Sequence, residues 1–264
     1  MRTGSDERYN LVVKANDLIT KSRFSLSTQQ QKIVLYLISK IDPFDTDFKV
    51  LEFSVKEFCN ACGIDAQSGK HYEALKAHIK AISDKSIWVK LPNAKETLLR
   101  WIEKPYIDER NGTIQIKLDD DMKPFLLQLK KNFTQYELVF TLYFKSKYSI
   151  RLYEYVKAVH GNALKPLELV LSLDELRERM GAEKYTEFFD FHRRVLKSSV
   201  AEINRFSDKR LTYEVVKNGK KVGAIRFTIE NKSTDEILTI YRAVEEKELH
   251  GQQTLFEALR VPKK

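Results

Sequence analysis

The sequence is short of features that define several protein classes. It has only 2 cysteines among 264 residues, and no stretch approaches the ~18 apolar residues that a membrane-spanning helix needs. The polar beginning, MRTGSDERYN, has the pattern of neither a signal peptide nor a transit peptide. Hydrophobic residues make up 42% of the chain and charged residues 31%. We therefore predict a globular cytoplasmic protein without a membrane partner, preceded by a flexible N-terminus over residues 1–9.

The two cysteines do not form a convincing metal site. Cys59 and Cys62 are spaced C-x-x-C, but zinc needs two further ligands, and the nearby His71 and His78 have no second pair beside them. Both thiols also fall in a predicted helix over residues 55–62. We therefore expect buried or half-buried thiols, no metal and no cofactor, with a metal or redox pair as the alternative.

Signatures of nucleotide-dependent and metal-dependent enzymes are also missing. A G-x-x-x-x-G-K-[ST] loop is absent, because the Ser-Gly-Lys segment at 68–70 lacks the first glycine and the final Ser or Thr. No His-x-His pair supports a tyrosine nickase. The acidic run at 119–121 is better explained as the start of a helix with Pro124 in its first turn than as a magnesium site. We therefore predict a protein that is not an enzyme.

Positive charge is concentrated in one part of the chain. The formal net charge is +9, from 46 basic and 37 acidic residues. Residues 141–230 contribute 18 basic and 12 acidic residues, a net charge of +6, whereas residues 1–140 contribute 22 and 19 and residues 231–264 contribute 6 and 6. A polyanion such as DNA is the expected partner of the basic region.

One pattern occurs twice, 118 residues apart. The segments FSVKEFCNACGI, from Phe53, and LSLDELRERMGA, from Leu171, align Ser54 with Ser172. Each contains S-x-x-E, in which the Ser hydroxyl accepts from a backbone N–H at the helix start and the Glu side chain reaches back to the cap. Each then ends at a glycine that can adopt the left-handed C-cap conformation. The repeat predicts a short capped helix in both copies.

Longer helices surround each short helix, and alternating segments follow them. Helices are predicted before the two copies, at 27–41 and 149–160, and after them, at 70–83 and 187–206. Downstream of the second copy, Asn218-Gly219 between two alternating segments predicts a type I′ hairpin.

The first copy is followed by predicted strands at 86–91, 98–102 and 113–118, with a turn at Asn111-Gly112. Helix, short helix, longer helix and β-hairpin together form a winged helix. We therefore predict an α+β fold with two tandem winged-helix domains in pseudo-repeat symmetry. Two unrelated α+β units that share helix caps are the alternative.

The second long helix has one apolar and one basic face. At 100° per residue its apolar side chains gather on one side, with His192 among them as a packed histidine. The opposite face and the predicted hairpin tip carry side chains suited to base edges and phosphates, and a solvated charged face is the alternative. The predicted DNA-binding residues of this domain are Arg193, Arg194, Lys197, Ser198, Asn204, Arg205, Lys217, Lys220 and Lys221.

The first long helix has lysines rather than arginines on its polar face. Lys70, Lys76 and Lys80 are predicted to contact DNA phosphates, because an ammonium group is a point charge rather than a planar fork. We therefore expect the second domain to specify the DNA sequence and the first domain to add affinity or to dimerise.

Three stretches resemble the replication initiators of iteron-containing, theta-replicating plasmids. They are NDLITKSRFSLSTQQQKIVLYLISKI, LKKNFTQYELVFTLYFKSKYSIRLYEYVK and FFDFHRRVLKSSVAEIN, and the resemblance covers roughly residues 10–230. The central run, in which F-T-x-Y leads to Y-S-I-R-L-Y-E, is specific, since a generic winged helix would not carry it. We assign domain 1 to residues 10–133, domain 2 to 134–230, and a C-terminal helix and tail to 231–264.

The resemblance implies a function for each part of the chain. Monomers would bind directly repeated iterons in double-stranded DNA at the plasmid origin, with the helix at 187–206 in a major groove. Dimers, formed largely through domain 1, would repress the protein's own gene. Bound monomers would help open the origin and recruit the host initiator ATPase and the replicative helicase. A tandem winged-helix transcriptional regulator without a replication role is the alternative.

The tail contains a short motif of its own. Ser233-x-x-Glu236 predicts a capped helix over roughly 235–248. Beyond it, the segment with Gln252, Leu255 and Phe256 is similar to the peptide by which bacterial replication proteins dock on the sliding clamp, although its second Gln replaces the usual Leu. The alternative is a helix end that packs Leu255 and Phe256 on the body.

Overall fold

The computed structural model describes residues 7–56, 58 and 71–249, and it describes residues 71 and 244–249 by their backbone alone. After a 3-10 turn at Glu7–Tyr9, the first half contains β1 (Leu11–Ala15), α1 (Asn16–Thr20), β2 (Ser22–Arg23), α2 (Thr28–Ile38), β3 (Leu51–Ser54), α3 (His71–Ser83), β4 (Ile87–Lys90), β5 (Glu96–Leu99), β6 (Tyr106–Asp108), β7 (Thr113–Ile116), α4 (Lys123–Leu126) and β8 (Phe133–Glu137).

The second half has fewer strands than the first and longer ones. It contains α5 (Val139–Leu142), α6 (Lys147–His160), β9 (Leu167–Ser172), α7 (Leu173–Met180), α8 (Phe188–Phe191), a π-helical turn (His192–Leu196), α9 (Lys197–Phe206), β10 (Lys209–Asn218), β11 (Lys221–Asn231) and α10 (Thr234–Leu249). The π-helical turn joins α8 and α9 directly, and we call the three segments the reading helix (188–206). Among the described residues, every helix is too short or too polar to span a bilayer.

The described residues form four small sheets, and all strand pairs within them are antiparallel. In the second half the order β10-β11-β9 forms a three-stranded sheet, in which Tyr213 of β10 pairs with Phe227 of β11. In the first half β2-β4-β5 and β3-β7-β6 form two sheets, and β1 pairs with β8. Each long helix, α3 and the reading helix, therefore precedes an antiparallel hairpin, which is the predicted winged-helix order.

Capping explains where the short helix of the second copy begins and ends. The Ser172 hydroxyl accepts the Glu175 N–H at 3.2 Å, and Gly181 closes α7 in the left-handed conformation at φ +60°. The Glu175 carboxylate binds Arg179 at 2.7 Å instead of reaching back, so only half of the predicted capping box is present. The equivalent Glu and Gly of the first copy lie outside the described residues.

The C-terminal helix begins as predicted. Glu236 accepts the Ser233 N–H at 3.0 Å, and the Ser233 hydroxyl accepts the Glu236 N–H at 3.4 Å. The acidic run of the first half also starts a helix: Asp119 accepts the Asp121 N–H at 3.1 Å, and Pro124 lies in the first turn of α4. Among the described residues no group of three or more His, Cys, Asp or Glu could hold a metal.

The tip of the second hairpin differs from the prediction. Asn218 pairs with Lys221, so the two-residue turn is Gly219-Lys220 rather than Asn218-Gly219. Gly219 has a φ of +63°, whereas Lys220 keeps a negative φ. A positive φ at the first turn position alone belongs to a type II′ turn rather than to the predicted type I′ turn. The predicted turn at Gly112, between β6 and β7, is confirmed, with a φ of +66°.

A continuous core runs through both halves, and α6 lies at its centre. Arg151 of α6 is buried and donates to the backbone carbonyls of Ser22, Phe24 and Arg179 at 3.3, 3.2 and 2.8 Å. Burial lowers the pKa of Arg151 to about 10. The run Y-S-I-R-L-Y-E thus places an arginine that binds elements of both halves, which explains why this stretch differs from a generic winged helix.

Candidate nucleic-acid interface

The buried face of the reading helix fixes its position against the domain core. Phe191, Val195, Leu196 and Ile203 are almost fully buried, as the sequence predicted for the apolar face. Glu202 adds a polar anchor, because its carboxylate accepts the backbone N–H groups at the start of α6 at 3.1 and 3.3 Å. The opposite face is therefore held towards solvent.

A π-helical turn interrupts the helix where its basic residues lie. The sequence pattern predicted one continuous α-helix, whereas His192–Leu196 forms a π-helix, with hydrogen bonds between residues five positions apart. A π-turn inserts one residue into the α-helical spacing and often occurs at functional sites. Here the adjacent pair Val195 and Leu196 is buried, while the pair Arg193 and Arg194 is exposed. The insertion therefore coincides with the two arginines predicted to read bases.

Arg193 and Arg194 are held by one carboxylate. Both side chains are 56% exposed, and Asp190 accepts a hydrogen bond from Nη2 of Arg193 at 3.2 Å and forms an ion pair with Nε of Arg194 at 3.5 Å. A guanidinium has five N–H donors, so each arginine keeps donors for another partner. Asp190 thus restrains two planar forks whose geometry suits guanine O6 and N7.

The remaining residues predicted on this face divide into two groups. Lys197 and Arg205 are exposed, as is the small residue Ala201 between them. Ser198 is half-buried, and its hydroxyl bonds the carbonyls of Arg194 and Val195 at 3.2 and 3.3 Å. Lys197 and Arg205 can therefore reach a ligand directly, whereas Ser198 is engaged with its own helix.

Asn204 occupies a different place from the one expected. Its amide donates to the Leu211 carbonyl at 2.8 Å, and its Oδ1 accepts the Leu211 N–H at 2.7 Å. The side chain is half-buried between the reading helix and β10. Because both ends of the amide are engaged, we remove Asn204 from the base-reading set and assign it to the junction of helix and wing.

The wing presents three lysines at its tip. Lys217, Lys220 and Lys221 are exposed, and none forms an ion pair within the described part of the chain.

A second contact, besides that of Asn204 with Leu211, joins the reading helix to β10. His192 Nε2 lies 2.7 Å from the Tyr213 hydroxyl, which confirms the packed position of that histidine. The wing is therefore fixed to the helix at two points while its positive tip stays free.

The lysines of the first long helix are paired with carboxylates. Lys76 binds Glu73 and Glu109, and the Glu109 hydrogen bond raises the pKa of Lys76. Lys80 binds Asp84 at 2.5 Å. The predicted helix is confirmed at His71–Ser83, but carboxylates partly neutralise its positive charge. The sequence pattern did not reveal the pairing of Lys76 with Glu109, because the two residues are 33 positions apart.

One exposed residue of the interface escaped sequence reasoning. Phe189 is 71% exposed and lies one turn before Arg193, whose guanidinium carbon is 5.4 Å from the ring centroid. The sequence feature that could have identified Phe189 is a phenylalanine outside the apolar stripe, four residues before an arginine.

Several predicted sites lie outside the described residues and stay predictions. They are Lys70, Gln252, Leu255, Phe256 and both cysteines.

Comparison with known proteins identifies the family. The model described as "Initiator Replication protein, WH1" matches residues 11–157, and "Initiator Rep protein, WH2" matches residues 172–229. A structure described as "Crystal structure of Pi initiator protein in complex with iteron DNA" is similar in fold, with a TM-score of 0.65 and 20% identity over 86% of this chain and 99% of that chain. These matches confirm the two winged-helix domains. Initiators of this family bind DNA and are not enzymes. The chain therefore belongs to the Rep3 family of initiator replication proteins.

Proposed function

We propose that this protein initiates plasmid replication by binding directly repeated iterons with the reading helix (188–206) in a major groove. The observation that supports this most is the exposed pair Arg193 and Arg194, held by Asp190 on a rigid helix. Arginine forks on a recognition helix are the commonest readers of guanine. The Pi initiator, similar in fold, is described in complex with iteron DNA.

The wing would grip the DNA backbone beside the reading helix. Lys217, Lys220 and Lys221 stand at the tip of a hairpin that Asn204 and Tyr213 tie to the helix. Phosphate contacts of this kind fix the register of a protein on the duplex without reading its sequence. Helix and wing would thus act as one rigid reading unit.

We infer a division of labour between domain 1 (10–133) and domain 2 (134–230). Domain 2 presents exposed arginine forks that keep N–H donors for a further partner, and it would specify the sequence, whereas domain 1 would contact phosphates or dimerise. The carboxylate partners of Lys76 and Lys80 support the weaker role for domain 1. Two linked helix-turn-helix units occupy successive major grooves about 10 base pairs apart. One monomer would therefore read one asymmetric repeat, and no palindrome is needed.

We propose further steps of initiation on the resemblance to plasmid initiators. Bound monomers would help open the origin and recruit the host initiator ATPase and the replicative helicase in the bacterial cytoplasm, where the plasmid resides. Dimers would repress the protein's own gene. The tail at 250–264 would dock on the sliding clamp through Leu255 and Phe256, and loss of clamp retention when both are changed to Ala would support that contact.

Fluorescence anisotropy with duplexes tiled across the DNA flanking the gene tests the proposal. At fixed salt, with random duplex as competitor, we expect a preference of ~10³ or more for a repeated segment. Arg193→Ala should lose most of that preference, whereas Lys76→Ala should weaken repeated and random duplexes alike. Equal binding to every duplex would reject the proposal. If Arg193→Ala and Lys76→Ala each weakened binding to repeated DNA and to random DNA by the same factor, the division of labour would be rejected.

A further inference from the structure

An exposed aromatic ring stands on the basic face of the reading helix. Phe189 is 71% exposed, whereas Phe191 of the same turn is fully buried. Isolated apolar residues are common on protein surfaces and need no explanation. Phe189 is not isolated, because Arg193 stacks on its ring one turn later and Asp190 binds the same arginine.

The three side chains form one preorganised cluster. The guanidinium carbon of Arg193 is 5.4 Å from the Phe189 ring centroid, within cation–π range, and Nη2 is 3.2 Å from Asp190 Oδ1. The contacts with the Phe189 ring and with the Asp190 carboxylate restrict the rotamers of Arg193 before any ligand binds. A preordered guanidinium loses less side-chain entropy when it binds.

The chemistry of the major groove supplies a partner for the ring. The C5-methyl group of thymine is the apolar group that a base pair presents there, and phenylalanine is among the side chains that contact it. Residues near the N-terminal end of a recognition helix are those that reach base edges. Phe189 lies in the first turn of the reading helix, on the side of Arg193.

We propose that Phe189 is a specificity-determining residue that reads a thymine by packing against its C5-methyl group, while its ring positions Arg193 for a neighbouring guanine. This inference deepens the proposed function and rests on it, because it needs the reading helix to enter a major groove. The ring supplies the apolar contact, and Arg193 supplies the hydrogen bonds that a phenylalanine cannot make.

Replacing thymine by deoxyuridine tests the apolar contact. Deoxyuridine keeps the base pair and its hydrogen-bonding groups and lacks only the methyl group. In the tightest-binding duplex from the tiled set, each thymine is changed in turn and the dissociation constant of the full-length protein is measured at fixed salt. At one position wild type should lose about three- to fivefold in affinity, the value of one buried methyl group. Phe189→Ala should bind both duplexes equally.

A matched control and a conservative variant separate the two roles of the ring. Phe44 is 86% exposed in the first half of the chain, so Phe44→Ala should keep the full deoxyuridine penalty. Phe189→Leu retains an apolar side chain without a π face, so it should keep much of that penalty. Replacing the neighbouring guanine by 7-deazaguanine removes the N7 acceptor, and this change should weaken wild type more than Phe189→Leu.

The possible failures are distinguishable. If no replacement of thymine by deoxyuridine weakens binding of wild type, the inference is overturned while iteron binding is left intact. The same holds if Phe189→Ala loses as much affinity as wild type at that position. The inference would also be overturned if Phe189→Ala changed the oligomeric state seen by sedimentation but left the affinity losses with deoxyuridine unaltered. The ring would then serve a contact between proteins. A wild type that cannot distinguish any duplex from random DNA would reject the proposed function itself.

Discussion

Replacing Lys14 by methionine removes the cation of a buried ion pair that joins the two halves of the chain. Lys14 Nζ lies 2.7 Å from Glu154 Oε1, and the two side chains are 4% and 5% exposed. The Tyr136 hydroxyl donates to the same oxygen at 2.6 Å, and burial raises the Tyr136 pKa well above its usual value. In the Lys14→Met variant the Glu154 carboxylate keeps the neutral Tyr136 hydroxyl as its hydrogen-bond partner, and the buried Arg151 guanidinium is the positive charge that still acts on it.

The expected cost is large relative to the stability of a folded protein. Breaking a buried ion pair by removing one partner costs about 3–5 kcal/mol, because an uncompensated charge stays buried. Whole proteins are stable by about 5–15 kcal/mol. Urea unfolding followed by circular dichroism should therefore show a strongly lowered midpoint, and Lys14→Met/Glu154→Gln should recover part of the loss because neither member of the pair is then charged.

An exposed pair provides the control. Lys21 and Asp17 form an ion pair at 2.9 Å with side chains 44% and 50% exposed, so Lys21→Met should cost less than about 1 kcal/mol. A Lys14→Met variant within 1 kcal/mol of wild type would refute the reasoning that Glu154 depends on this lysine. No recovery in the double variant would contradict the charge argument alone.

Two further predictions concern the contact of the reading helix with the wing and a buried lysine of α2. Asn204→Ala leaves the Leu211 backbone without its side-chain partners and should cost about 1–3 kcal/mol in urea unfolding; an unchanged midpoint would show that the junction is unimportant. Burial, partly offset by Glu202, lowers the pKa of Lys32 to about 7, below its unfolded value of 10.5. Between these values the unfolded chain binds the extra proton, so the unfolding free energy of wild type relative to Lys32→Met should rise with pH by up to about 1.4 kcal/mol per unit. A pH-independent difference would contradict the shift.

Local patterns predicted the described helices of both winged units well, while most of the short helix at 55–62 lies outside the described residues. The caps at Ser172, Gly181 and Ser233 depend on contacts between residues three or four positions apart, so the sequence contains all the information they need. The apolar face of the reading helix was also predicted, because Val195 and Ile203 repeat at helical spacing. The fold class followed from these elements and their order.

Long-range contacts account for what the sequence did not reveal. The pairing of β1 with β8 joins Leu11 to Glu137, and no local period marks either strand. Asn204 was expected on the DNA face because a helical wheel cannot show that Leu211 of the wing engages its amide. The π-turn at 192–196 was also not predicted, since side-chain spacing indicates an uninterrupted α-helix.

The most direct test of the account compares one repeat with its base-scrambled counterpart, at equal salt, for wild type and for Arg193→Ala/Arg194→Ala. Both side chains are exposed, so the double variant should keep the wild-type unfolding midpoint. The account predicts a wild-type preference of ~10³ or more for the repeat, reduced by at least tenfold in the double variant with little change on scrambled DNA. An unchanged preference in a folded double variant would contradict sequence reading by this helix.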